Sequence, residues 1–146
     1  MLQRNTKLKG ELNMIAYKVV HKKTRYGSNA AGYIEDYGER SFHNTVEQLK
    51  LEKFFPVYKK DVVVKQAPKS VGLMAFESLD KARSFRRNYA FDAKIIKVEG
   101  TRKRKQAPKI IPGCMCIKYL LKEVGKEHLT FTPEGTIFFA KLKVLE

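Results

Sequence analysis

The residues with the clearest chemical meaning in this chain are cations in two groups. The first is Lys81, Arg83, Arg86 and Arg87; the second is Arg102-Lys103-Arg104-Lys105 with Lys109. Arg83 and Arg87 are four residues apart, so a helix through them presents both on one face. Lys and Arg at this density suit contacts with phosphate oxygens, which supply affinity without reading sequence. The two groups belong to a wider asymmetry. The chain carries 30 Lys and Arg against 15 Asp and Glu in 146 residues, a formal charge of +15. Residues 81–126 hold fourteen cations and three acids, whereas residues 35–52 hold five acids and two cations. A compact domain with this charge repels itself, and an anionic partner relieves the repulsion. Nucleic acid, DNA or RNA, is the expected partner, with an acidic protein as the alternative. In a nucleated cell the Arg102–Lys105 run also has the composition of a nuclear-import tag.

Other constellations carry less. Tyr26, Tyr33 and Tyr37 lie in or beside a Gly-containing turn and are expected at the surface, where tyrosine can stack on unpaired bases. Glu35, Asp36 and Glu39 lie near them and oppose phosphate. Cys114 and Cys116, with His128 and His43, have no standard zinc-finger spacing, so two ordinary thiols are expected and no metal. Asp80, Asp92 and Lys94 echo the acid-acid-lysine set of some metal-dependent nucleases. Asp80, however, already suits a helix start, and Asp92 lacks a second strand acid. No cofactor is expected, and a binding role is favoured over an enzymatic one.

The elements that position these residues follow from pattern. Ile15–His21 is rich in strand formers. Ala31–Tyr37 reads as a second, exposed strand broken by Gly38. Ser41–Phe54 reads as a helix with Phe42, Val46, Leu49 and Phe54 on one stripe, Ser41 or Asn44 as cap, and Pro56 beyond it. Asp61–Lys65 and Val71–Phe76 read as strands. Ser78 caps the clearest helix, with Asp80 in its first turn and Leu79, Ala82, Phe85 and Tyr89 toward the core. Lys94–Val98 is a strand stopped by Gly100. Thr101–Pro112 is a basic loop, and Ile117, Leu120, Leu121 and Val124 have helical spacing. A final strand alternates Phe138, Ala140, Leu142 and Val144 with Phe139, Lys141, Lys143 and Leu145, after a turn at Pro133-Glu134-Gly135.

This irregular interleaving of four to six strands with two or three helices predicts a single α+β domain over residues 14–146 with a mixed or mainly antiparallel sheet. Residues 1–13 are polar and aperiodic and read as a flexible leader. A chain of this length buries enough surface for a core without staples, and its 43% apolar content argues against disorder. Apolar runs fall far short of the roughly 20 residues a membrane helix needs, and no signal-peptide pattern appears. An intracellular protein without a membrane partner is expected.

The segment Gly72-Leu73-Met74-Ala75-Phe76-Glu77-Ser78, continuing through Ala82 and Phe85 to the strand Lys94–Val98, resembles the core of ADP-ribosyltransferase-like domains. That resemblance spans residues 71–99. It implies an NAD-using transferase in which His21 contacts the nucleotide and Glu134 is the late glutamate. The chain departs from the pattern in having Lys22 and Lys23 after His21 and no second Glu beside Glu134. The leading expectation is a small basic nucleic-acid-binding module. The alternatives are an interaction or inhibitor protein of phage or virus type, and this transferase.

Overall fold

The computed structural model describes residues 13–49, 52, 55–66, 72–90, 92–102, 110–112, 129–131 and 133–146. Among these, the elements run β1 (Asn13–Val20), α1 (Ser28–Tyr37), α2 (Glu39–Leu49), β2 (Val63–Lys65), β3 (Leu73–Phe76), α3 (Leu79–Tyr89), β4 (Lys94–Arg102), β5 (Ile110–Pro112), β6 (Leu129–Phe131) and β7 (Thr136–Val144). The fold is α+β in one domain, as the pattern predicts. Five strands form one antiparallel sheet in the order β2-β7-β3-β1-β4, and β4 pairs back onto β7. Four strands therefore close into a barrel, with β2 added alongside β7. β5 and β6 form a separate antiparallel pair.

Strand alternation sorts the side chains. Ala16, Val20, Ile96, Val98, Leu73, Ala75, Ile137, Phe139, Leu142 and Val144 fill the barrel. Val19 and Phe76 face outward, where Ala31 of α1 and Ala82 and Phe85 of α3 cover them. A smaller cluster of Ala30, Ile34, Phe42 and Val46 joins α1 to α2.

Phe139 and Leu142 are both fully buried in the barrel, although they are three positions apart. The strict alternation expected for this strand cannot place both inside. The register supplies the reason. Thr101 stands opposite Lys141, but Arg102 stands opposite Phe139, so Ala140 has no partner on β4. This bulge switches which residues of β7 face the core, and the Ala140 carbonyl instead accepts from Gln66 N (2.9 Å). Gly100, expected to stop β4, lies within it. A methyl group at Gly100 would overlap the Phe139 ring and the Leu142 side chain. Glycine is needed here for space.

Residues 31–37 are helical where a strand was expected. Ala30, Ala31 and Ile34 are buried at helical spacing. Gly38, at φ 92°, ends α1 by donating its N–H to the Ile34 carbonyl. Its own carbonyl accepts from Phe42 N (3.2 Å), so α2 starts at Glu39 rather than at Ser41 or Asn44. Phe54 and the helix expected near Leu120 lie outside the described residues.

One cation is inside. Lys18 shares the inward face of β1 with Ala16 and Val20 and is only 4% exposed. Its Nζ donates to the Met74 carbonyl and stands 4.8 Å from the centre of the Tyr58 ring. A methyl at Gly27 would lie 3.0 Å from Lys18 Cε, so glycine there makes room for the lysine. Burial lowers the Lys18 ammonium to about 7 and raises the Tyr58 hydroxyl. Arg25 fixes the segment carrying Tyr58: its carbonyl accepts from Tyr58 N (3.0 Å) and its Nη2 donates to the Glu146 carbonyl (2.8 Å).

Two stability tests follow. Gly100→Ala should lower stability by about 1–3 kcal/mol in urea denaturation, the usual effect of overpacking a filled core. Wild type should gain stability relative to Lys18→Met as pH rises from about 7 toward 10, because the folded chain has released a proton that the unfolded chain still holds. Below pH 7 both states bind it, and the difference should be flat with the wild type at its greatest disadvantage.

Candidate nucleic-acid interface on the third helix

Ser78 starts α3 as the sequence predicts. Its backbone is extended and its Oγ accepts from Lys81 N (3.2 Å), satisfying one of the free N–H groups of the first turn. Ala82 and Phe85 bury one face against the barrel. The other face carries Arg83, Ser84, Arg87 and Asn88, all exposed, with Arg86 at its margin. Arg86 and Arg87 lie in the last turn, where the helix dipole favours cations. Arg83 Nη1 is 3.8 Å from Asp80 Oδ1, a loose pair on an exposed surface. Among the described residues, Arg86 and Arg87 make no ion pair.

Lys81 differs from these arginines. Its stem crosses Gly135, where a side chain would collide with Lys81 Cγ, and its Nζ meets Glu134 Oε1 at 2.7 Å. The hydrogen bond and charge of Lys81 hold the Glu134 carboxyl below the usual carboxylate range. The expected phosphate ligand is thus already paired with an acid of the turn before β7.

Tyr89 departs from expectation in the opposite sense. Helical spacing assigned it to the core, yet it is 66% exposed. Phe85 fills the space against Phe76 (ring centres 5.3 Å apart), and Tyr89 leans on the outside of Phe85 (5.1 Å, 35° between planes). The three rings form a column from core to surface. Beside Tyr89 a cavity of about 490 Å³ opens between α3 and the turn before β7. Ser78, Asp80, Lys81, Ser84, Asn88 and Glu134 complete its polar wall.

The tyrosines expected at the surface divide. Tyr26 and Tyr33 are half-buried around Phe42, with ring centres 5.0 and 5.9 Å from it. Tyr37 is 55% exposed and packs on Tyr33 (4.8 Å). Helix formation over residues 28–37 turns Tyr33 inward, and Tyr26, bridged to Val57, packs on Phe42 just before that helix.

The expected basic loop Thr101–Pro112 is strand at both ends: Thr101 and Arg102 end β4, and Ile110–Pro112 form β5. Lys103, Arg104, Lys105 and Lys109 lie outside the described residues, as do Cys114, Cys116 and His128. No group of three His, Cys, Asp or Glu able to hold a metal occurs among the described residues. Asp92 pairs with Lys22 (3.2 Å). Ser78 and Glu134 line the same cavity, whereas His21 does not; its Nδ1 accepts from Thr24 N (3.2 Å) in the turn after β1. Tyr17 stands opposite Phe76 in antiparallel register, so His21 lies toward the start of β3 and Ser78 beyond its end.

The sheet adds cations that composition alone does not single out. Lys65, Lys141 and Lys143 are exposed, with Lys65 opposite Lys141 and Val63 opposite Lys143. Their signal is the alternation with buried Val64, Leu142 and Val144. No helix among the described residues is long and apolar enough to cross a membrane. Comparison with models of known protein families, with curated proteins and with solved structures finds no match, so the functional reading rests on this geometry.

Proposed function

We propose that this chain is a small nucleic-acid-binding module that grips phosphates through Arg83, Arg86 and Arg87 on α3, with the basic segment Arg102–Lys105 and Lys109 adding to the same electrostatic term. The observation that carries this reading is the outer face of α3: Arg86 and Arg87, which make no ion pair among the described residues, and Arg83, only loosely paired with Asp80 (3.8 Å), stand beside an exposed tyrosine on a helix anchored through Ala82 and Phe85. Guanidinium groups suit phosphate because their fork of N–H donors matches two oxygens at once. The net charge of +15 favours the same class of partner over any neutral one.

A second reading, docking on an acidic protein, is supported by a different surface. Val62 and Val63 are exposed apolar residues near Lys65, Lys141 and Lys143 on the sheet. Apolar contact ringed by lysine suits a protein partner better than a phosphate backbone. Copurification with an acidic protein that survives nuclease treatment would favour this reading over the first.

Phosphate binding has a quantitative signature. With six to ten phosphate contacts, affinity for an oligonucleotide should fall about 10³–10⁵-fold between 50 and 200 mM salt. Arg83→Gln, Arg86→Gln and Arg87→Gln combined should reduce the slope of log affinity against log salt by about 2–3. Anisotropy titrations of a labelled oligonucleotide measure both. A slope near zero in the wild type, or an unchanged slope in the triple variant, would refute the proposal.

A further inference from the structure

We propose that the cavity between α3 and the turn before β7 seats a single unpaired nucleobase, stacked on Tyr89 and recognised along an edge that bears an amino group. This rests on the phosphate-binding reading above and gives it a preference among bases. The cavity, at about 490 Å³, lies within the usual range for small-ligand sites. Its aromatic wall is prepared for stacking. Phe85 braces the Tyr89 ring on one side and Phe76 braces Phe85, while Tyr89 remains 66% exposed. A braced, exposed ring has already given up most of the freedom that stacking would cost it.

Charge decides which part of a nucleotide enters. Asp80 and Glu134 both line the cavity, and Lys81 is its one cation, already paired with Glu134. A phosphate would meet an excess of negative charge there. Outside, Arg83 and Arg87 are exposed on the same helix. The backbone therefore runs along the arginines and the base points inward.

Hydrogen bonding decides which base. Lys81 occupies one of about four lone-pair positions on the Glu134 carboxylate, so acceptor capacity remains. Adenine N6, cytosine N4 and guanine N2 present N–H groups to such an acceptor. Thymine and uracil place carbonyl oxygens beside their single ring N–H and meet the carboxylate with repulsion. The backbone that carries the acceptor is held firmly. Glu77 N donates to the Gly135 carbonyl (2.9 Å), and the Pro133 carbonyl accepts from Thr136 Oγ1 (2.7 Å), so the turn carrying Glu134 is bonded on both flanks.

The test is anisotropy binding at fixed salt of homopolymers about twelve nucleotides long: oligodeoxycytidine, oligodeoxyadenosine and oligothymidine. The wild type should bind the first two at least about 10-fold more tightly than oligothymidine, from one recovered hydrogen bond to a charged group. Glu134→Gln should bring that ratio toward one and leave the salt slope unchanged. Tyr89→Ala should weaken all three by about 5–150-fold, the range of one lost stack, while Tyr89→Phe retains affinity. Equal wild-type affinity for all three with a normal salt slope would overturn the base seat and leave phosphate binding standing. Undiminished binding by Tyr89→Ala would do the same. Failure to bind any of them, or salt-independent binding, would overturn both proposals.

Discussion

The antiparallel pairing of β7 with its neighbours sets the position of nearly every feature described above. β3 occupies the first half of β7, and β2 and β4 flank its second half. The β3–β7 register places Phe76 opposite Thr136, and the bond from Glu77 N to the Gly135 carbonyl extends the ladder past the strand ends. This brings Ser78, which starts α3, next to Glu134, which precedes β7. The cavity is thus a product of sheet register. The β4–β7 register closes the barrel, and it depends on a missing side chain at Gly100 and an extra residue at Ala140. The glycine makes room for Phe139 and Leu142, and the bulge brings both of them to the inside.

Charge is distributed with a logic of its own. Of 30 Lys and Arg, Lys18 sits inside the barrel, where a carbonyl and an aromatic face replace water around its head group. Burial without a carboxylate partner is costly for an ammonium, and the group answers by giving up its proton near neutral pH. The remaining cations described lie mainly at the surface, where repulsion is screened. The pair of Lys81 with Glu134 stands between these cases. Being exposed, it adds little to stability, but it joins α3 to the β7 turn and defines one wall of the cavity.

Features decided by local chemistry were legible in the sequence. The Ser78 cap, Asp80 in the first turn, and the Ala82 and Phe85 contacts follow from residue type and helical spacing, and the helix forms as read. The strands at Lys94 and Thr136 were visible from their β-branched and aromatic content. Features decided by a distant partner were not legible. Tyr89 keeps helical register with Phe85, and nothing local shows that Phe85 and Phe76 already fill the space below it. Lys81 looks like its arginine neighbours until β7 brings Glu134 to it. Gly100 reads as a strand breaker, because its clash with Phe139 requires two strands separated by most of the C-terminal third of the chain. The helix over residues 28–37 was not legible either, because over Ala31–Tyr37 a short amphipathic segment satisfies either period.

The closed barrel also has a consequence in time. β1, β3 and β4 precede β7 in the chain, and β4 lies some forty residues upstream of the strand that joins it to β3. A chain emerging from synthesis or refolding therefore holds these strands with unsatisfied edges until β7 arrives, and pairings so distant in sequence form slowly. Open edges recruit other chains unless something keeps those chains apart. Lysines on β2, β4 and β7 provide that repulsion before the sheet closes. The same charge that gives the finished fold its basic surface acts, during assembly, as its own chaperone.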